Sequence, residues 1–221
     1  MAKNSNSIGE VRKKATKTHE LIFTSHHEAG HTIYALLHIM YVCSVCVYEN
    51  KKLKRILGTT YYDTFYDDFD SVKDPILLNK LILTEISMNY AGVMAERHLF
   101  KSISGSEQVP KYITSGSFDD NENTAKIISQ YNLAEPGKKR YAYKQKICRK
   151  VHATLQNNWD AVSIVAHELY KRRKLEYIDL KILLTTKTIN TKFWKEQFKK
   201  IDYIRNNQPI EEQYLTDILF V

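Results

Sequence analysis

The sequence contains little cysteine, proline or glycine: its 221 residues include three, four and seven of them. Three cysteines are too few, and odd in number, for a disulfide framework, which favours a reducing cytoplasm as the location. No stretch reaches about 18 uninterrupted apolar residues, and the N-terminus lacks the apolar segment of a signal peptide. We therefore expect a globular cytoplasmic protein with no membrane contact.

The net charge of +8 is unevenly distributed along the chain. Residues 58–122 contain five basic and eleven acidic residues, whereas residues 138–200 contain seventeen and five. A basic surface can bind an acidic partner or the phosphates of a nucleic acid. No zinc-finger or RNP-like motif accompanies this one. We therefore expect the basic half to contact the acidic half or another subunit, and not nucleic acid.

The segment SHHEAGHT, residues 25–32, concentrates three histidines and one glutamate in six consecutive positions. Apolar residues around it recur at helical spacing, which predicts a helix starting near residue 16 or 18. On a helix, His27 and His31 lie on one face and can bind a single ion. Glu28 can then reach a water molecule on that ion. This is the H-E-x-x-H arrangement of zinc hydrolases.

A second interpretation of the same segment remains open at this point. Ser25 and Glu28 have the spacing of a capping box, in which Ser25 caps the helix and Glu28 reaches back to it. That arrangement would begin the helix at Ser25 and occupy the glutamate.

The remaining sequence predicts a mainly helical fold with a small β-sheet. Strands are expected at 42–48 and 56–62, and helices at 74–100, 119–132, 138–156, 159–172 and 179–186. From residue 187 the chain is basic and aromatic, and four apolar residues recur at helical spacing: Trp194, Phe198, Ile201 and Ile204. This pattern predicts packing on the body of the protein or on a partner.

A third metal ligand must come from outside the histidine helix, because a catalytic zinc normally has three protein ligands and one open position. Carboxylates stand in the segment TSGSFDD, residues 114–120, where a loop is expected to meet a helix.

Four segments, in order, resemble the peptidase domain of the FtsH family of ATP-dependent zinc metalloproteases. HHEAGH resembles the family's H-E-A-G-H helix, and LGTTYY resembles its glycine-led strand beside the cleft. NYAGVMAERHLF is similar to its G-G-R-x-A-E-E segment, and TSGSFDDNENTAKI to its T-G-A-S-N-D segment. With a weaker C-terminal stretch, the resemblance covers residues 15–186, leaving 1–14 as a flexible N-terminus and 187–221 as a basic aromatic tail.

The resemblance implies a role for each matched residue of the metal site. His27, His31 and Asp120 would be the zinc ligands, and Glu28 the general base. Asp119, which stands where the family usually has asparagine, is the rival third ligand.

Two further roles are implied outside the ligand set. Glu96 would orient a ligand histidine, the alternative being an ion pair along its own helix, for example with Lys101. The strand containing Gly58, Thr59, Thr60 and Tyr61 would bind an extended substrate by strand addition.

The sequence departs from the family in having neither its AAA module, with the P-loop motif, nor its membrane helices. The implied function is therefore a zinc-dependent endopeptidase that cleaves flexible or unfolded polypeptide without its own ATPase. A separate unfoldase or adaptor, and a second copy of the chain, are open as partners. The alternatives are a non-enzymatic, zinc-stabilised protein-binding module and a nucleic-acid-associated regulator.

Overall fold

The computed structural model describes residues 17–63, 69, 72–106, 118–135 and 137–207. Within these ranges the chain is mainly helical with a small three-stranded sheet, as predicted. In chain order the elements are α1 (Lys17–Leu37), β1 (Tyr41–Asn50), β2 (Arg55–Asp63), α2 (Pro75–Ser104), α3 (Phe118–Gln130), α4 (Lys138–Asn157), α5 (Trp159–Arg172), β3 (Lys174–Glu176), α6 (Tyr177–Lys187) and α7 (Thr191–Asn206). The predicted flexible N-terminus and the end of the predicted tail, from residue 208, lie outside the described residues.

Helix α1 lies at the centre of the fold, packed against α2, α5 and β2. Its middle is buried, with Ala29 and Ile33 fully enclosed in the core. Because α1 begins at Lys17, Ser25 lies in its interior and does not cap it. The capping-box interpretation of Ser25 and Glu28 is therefore wrong, since the backbone there is already part of a continuing helix.

Helix α2 runs alongside α1 and is the longest helix in the described chain. The Asp74 side chain caps it by accepting a hydrogen bond from the backbone N–H of Ile76 at 2.8 Å, and Pro75 occupies the first helical position. Small residues, among them the fully buried Ala91 and Ala95, face the core. They allow the two helices to approach closely enough for α2 to contact the histidines of α1.

The sheet has the strand order β2-β1-β3, and both pairs are antiparallel. Strand β2 is thus an edge strand among the described residues. Strand β3 was not predicted, because its three residues are too few to show an alternating pattern. It exists through its pairing with residues 44–46 of β1, which buries Leu175 completely.

Helix α7 packs on the body of this chain, which is one of the two arrangements that its apolar spacing predicted. Trp194 and Phe198 are each 1% exposed and belong to the same core as α1. The Gln197 amide donates hydrogen bonds to the carbonyls of Leu36 and Leu37, at 2.9 and 3.0 Å, where α1 ends. The N-terminal part of the predicted tail is therefore integral to the fold. No helix in the described part of the chain has the length and apolar character needed to cross a membrane.

Candidate metal centre

Three predicted ligands, His27, His31 and Asp120, converge on one point between α1 and α3. The two histidines stand on successive turns of α1, with their Nε2 atoms 3.0 Å apart. Oδ2 of Asp120, in the first turn of α3, lies 3.2 Å from the His27 Nε2 and 3.5 Å from the His31 Nε2. Among the described residues, these three form the group that could hold a metal ion.

The spacing of these atoms fits a tetrahedral ion. Metal bonds of about 2.0–2.2 Å at tetrahedral angles separate neighbouring ligand atoms by about 3.3 Å. The observed separations of 3.0, 3.2 and 3.5 Å scatter around that value. Among the described residues, Oδ2 of Asp120 is also buried without a hydrogen-bond partner, although buried polar atoms are usually satisfied. A cation at this point would satisfy it.

Helix α2 contacts the other ring nitrogen of each histidine. His31 Nδ1 lies 2.8 Å from the backbone carbonyl of Met88, which accepts its N–H, and His27 Nδ1 lies 3.3 Å from Oε1 of Glu96. The hydrogen bond to Met88 fixes the tautomer of His31 and leaves the lone pair of its Nε2 free for a metal. His27 Nδ1 makes no hydrogen bond among the described residues, although the Glu96 carboxylate lies beside it. Glu96 is only 3% exposed, and its carboxylate lies where a residue orienting His27 is required.

The electrostatics of the cluster favour a positive charge. Burial disfavours the charged form of His27, but the charge of Glu96 and the contact with Asp120 outweigh it and hold its pKa well above the ordinary value. Burial would raise the pKa of Asp120, yet the close contacts of its carboxylate with His27 and His31 keep that pKa below its usual range. Burial raises the pKa of Glu96 against the opposing effect of His27. Two carboxyl groups therefore enclose one imidazole, and together they attract a cation.

Glu28, the predicted general base, is 5% exposed and adjoins His27 on α1. Its Oε2 accepts a hydrogen bond of 2.8 Å from the Thr60 hydroxyl on β2. Gly58 makes room for it, since a Cβ atom there would lie 2.3 Å from the Glu28 Cγ. Gly58 and Thr60 were both predicted to lie on the substrate strand, but their contact with Glu28 was not predicted. Their spacing of two along a strand was the available signal, because it puts both on one face.

The other two residues of the predicted substrate strand lie on the opposite side of β2. Tyr61 is 54% exposed, and the Thr59 hydroxyl donates to the Gly58 carbonyl at 2.7 Å. The strand thus has one face directed to α1 and another directed to solvent.

A second polar pair near the cluster was not found from the sequence. The Tyr62 hydroxyl, on the same face of β2 as Thr60, donates to Oε1 of Glu85 on α2 at 3.0 Å. Oε2 of Glu85 is buried and accepts no hydrogen bond from the described residues. Burial raises the pKa of Glu85 and also that of Tyr62.

A glycine of α2, for which no site role was predicted, and the rival ligand on α3 complete the description of the site. Gly92 is in contact with the site, because a Cβ atom there would lie 2.4 Å from the His27 Nε2. Asp119, the rival ligand, belongs to α3, but its side chain lies outside the described residues.

Comparison of the sequence with protein-family models gives no match, and comparison with curated proteins gives none either. The geometry of the site is therefore the basis for assigning a function.

Proposed function

We propose that the protein is a zinc-dependent endopeptidase with a fold like that of the FtsH peptidase domain. The convergence of His27, His31 and Asp120 on one point, beside Glu28, is the observation that supports this proposal most strongly. Two imidazole nitrogens and one carboxylate oxygen form a donor set that suits zinc. Three protein ligands also leave a fourth position open, which is typical of catalytic rather than structural zinc.

The residues of this chain would divide the reaction among them. Zinc, when bound by the three ligands, would polarise the substrate carbonyl and lower the pKa of the attacking water. Glu28 accepts the proton of that water and then delivers it to the leaving amine. The free edge of β2 binds the substrate as an added strand, and so holds its backbone in an extended conformation beside Glu28.

Flexible or unfolded polypeptide is the substrate class that we propose. An extended backbone is needed to pair with β2, and this sequence contains no P-loop with which ATP could drive the unfolding of a folded protein. A separate unfoldase or adaptor would supply that step where folded proteins are the targets. We propose the cytoplasm as the compartment, because the cysteines of the described chain are free.

Cleavage of an unstructured peptide by the zinc-loaded protein tests the proposal. We expect cleavage that is lost on chelation and restored by about one equivalent of zinc. Full zinc occupancy with no cleavage of casein or any unstructured peptide would instead support a zinc-stabilised binding module. Tight, salt-dependent binding to DNA or RNA at about 0.15 M salt would support a nucleic-acid-associated regulator.

A further inference from the structure

We propose that Thr60 is a positioning residue that holds the carboxylate of Glu28 in register with the edge of β2. The function of that carboxylate as a base rests on the proposed peptidase activity, whereas its placement by Thr60 does not. Strand β2 would then serve the reaction twice. Its backbone binds the substrate, and its inner face fixes the base.

Thr60 contacts the Glu28 carboxylate directly through a hydrogen bond. The Thr60 hydroxyl donates to Oε2 of Glu28 at 2.8 Å, and the same hydroxyl lies 3.2 Å from the Glu28 backbone carbonyl. A hydroxyl has one proton, and the shorter contact to a charged oxygen is the stronger of the two. Oε2 is thereby held on Thr60, and we assign the transfer of the proton to Oε1, the other oxygen of the carboxylate.

Strand β2 also confines the Glu28 side chain sterically. The Glu28 side chain lies across Gly58, where an added Cβ would come within 2.5 Å of Oε1 and closer still to Cγ. Gly58 and Thr60 share the inner face of the strand, one providing space and the other a donor. A long, flexible side chain is thereby restricted to one path over β2.

Strand β2 connects the proposed base, Glu28, to the proposed binding edge for the substrate. Strand β2 pairs with β1 on one side only among the described residues, and its other edge is where we propose that the substrate adds a strand. A substrate paired there takes its register from the backbone of β2. Thr60 belongs to the same strand, so its hydrogen bond fixes the Glu28 carboxylate relative to the substrate backbone that pairs with β2. A misplacement of about 1 Å in such a group can cost about a hundredfold in rate.

If Thr60 had a purely structural role, its substitution would have different effects. Its contact with the Glu28 carbonyl also joins β2 to α1, and loss of that contact would lower stability without moving the carboxylate. The test therefore needs variants that separate the hydroxyl from the bulk of the side chain, and a measurement independent of turnover.

We would compare Thr60→Val, Thr60→Ser and wild type by zinc content, by steady-state kinetics on an unstructured peptide, and by crystal structures of the zinc-loaded proteins. Thr60→Val removes the donor at constant shape, and Thr60→Ser retains it. If Thr60→Val does not fold, Thr60→Ala replaces it. Thr185→Val is the control, since it removes a hydroxyl that donates to the Lys181 carbonyl on α6 at 2.6 Å.

We expect Thr60→Val to keep its zinc and its KM while kcat falls about tenfold or more, the loss expected for a charge-assisted hydrogen bond. Thr60→Ser should restore kcat to within about threefold of wild type, and Thr185→Val should leave it unchanged. In the crystals, the Glu28 carboxylate should leave its position in Thr60→Val and keep it in Thr60→Ser.

The proposal fails if Glu28 keeps its position in Thr60→Val, or if kcat falls equally in Thr60→Val and Thr60→Ser. A wild-type protein that binds zinc but cleaves nothing would refute the peptidase activity alone. The crystal structures would then still decide whether Thr60 positions Glu28.

Discussion

Oε1 of Glu96 lies 3.3 Å from Nδ1 of His27, on the opposite side of the imidazole from Asp120. The ring thus lies between two carboxylates, one of which would orient it and the other of which would share a bound ion with it. The backbone carbonyl of Met88 contacts His31 in the equivalent way. Helix α1 provides both histidines and α2 orients both, so the geometry of the site depends on how these two helices pack.

The first prediction follows from this contact. Glu96→Gln should lower metal affinity by about 10–100-fold, the usual cost of losing an orienting carboxylate, because the neutral amide loses the electrostatic attraction to the His27 ring. Competition with a chromogenic chelator measures the change. Glu122→Gln is the matched control, since Glu122 lies exposed on α3 in an ion pair with Lys126. Equal affinities of the two variants would contradict an orienting role for Glu96.

The second prediction separates the two neighbouring aspartates. Asp120→Asn should lower metal affinity by more than the loss of an orienting residue does, because it removes a charged ligand atom. Asp119→Asn should retain the metal, since Asp120 already lies against both histidines. Metal content after dialysis distinguishes the variants. The reverse order of affinities would make Asp119 the ligand.

Much of the fold was predictable because it is local. The stop and start signals of α2, such as Asp74 and Pro75, act within one turn, and the pairing of His27 with His31 requires only helical geometry. Strand β3 was not predictable, because a three-residue strand is defined by its partner. The helical pattern of α7 was visible, but which surface buries Trp194 depends on packing between distant parts of the chain.

The candidate site shows the same division between local and distant contacts. Asp120 is far from His31 along the chain, and only the resemblance to a known family suggested that they meet. The contact of Thr60 with Glu28 had no sequence signal beyond alternation. The alternation of side chains along a strand predicts which residues share a face, but it does not predict which helix packs on that face.

The third prediction concerns protons. The pKa of His27 is held well above its ordinary value of 6.5, which favours a proton on this ring in the metal-free protein. Metal binding must displace it. We expect release of about one proton at pH 7, and an affinity that rises with pH until the folded pKa of His27 is reached. Calorimetry in buffers of different ionisation enthalpy measures the release, and enthalpies independent of the buffer would contradict it.

The same shift determines a stability change in the metal-free protein. The pKa of His27 is higher in the folded state than its ordinary value of 6.5 in the unfolded state, so protonation of this ring stabilises the fold. The stabilisation is complete below pH 6.5 and is lost as the pH rises through the folded pKa. Chemical denaturation should therefore show stability falling with pH in that window. His27→Gln should flatten the dependence.

The fourth prediction tests whether α7 is integral to the body of the protein. Trp194→Ala should lower the free energy of unfolding by about 3–5 kcal/mol, because it leaves a large cavity in the core. Phe193 is adjacent but 37% exposed, and Phe193→Ala should cost about 1 kcal/mol or less. Urea denaturation compares the two. Similar small losses would mean that α7 is a dispensable addition.

The fifth prediction concerns the proposed base. Glu28→Gln preserves the size of the side chain, and its amide oxygen can still accept the Thr60 hydrogen bond, so fold and zinc content should match wild type. The amide cannot take a proton from water. Turnover of an unstructured peptide should therefore fall by about a hundredfold to ten-thousandfold, the range that general-base catalysis contributes.

The loss should appear in kcat more than in KM, because the substrate backbone would still pair with β2. Glu122→Gln provides a control for the chemistry of the substitution itself, since it makes the same change on the exposed surface of α3. Zinc analysis of each preparation must accompany the kinetics, so that a loss of metal is not mistaken for a loss of the base. Cleavage by Glu28→Gln at the wild-type rate, with full zinc occupancy, would disprove the mechanism. The proton would then have to be taken by another group. Glu85 on the neighbouring helix, whose Oε2 is buried without a hydrogen-bond partner among the described residues, would be the next carboxyl to substitute.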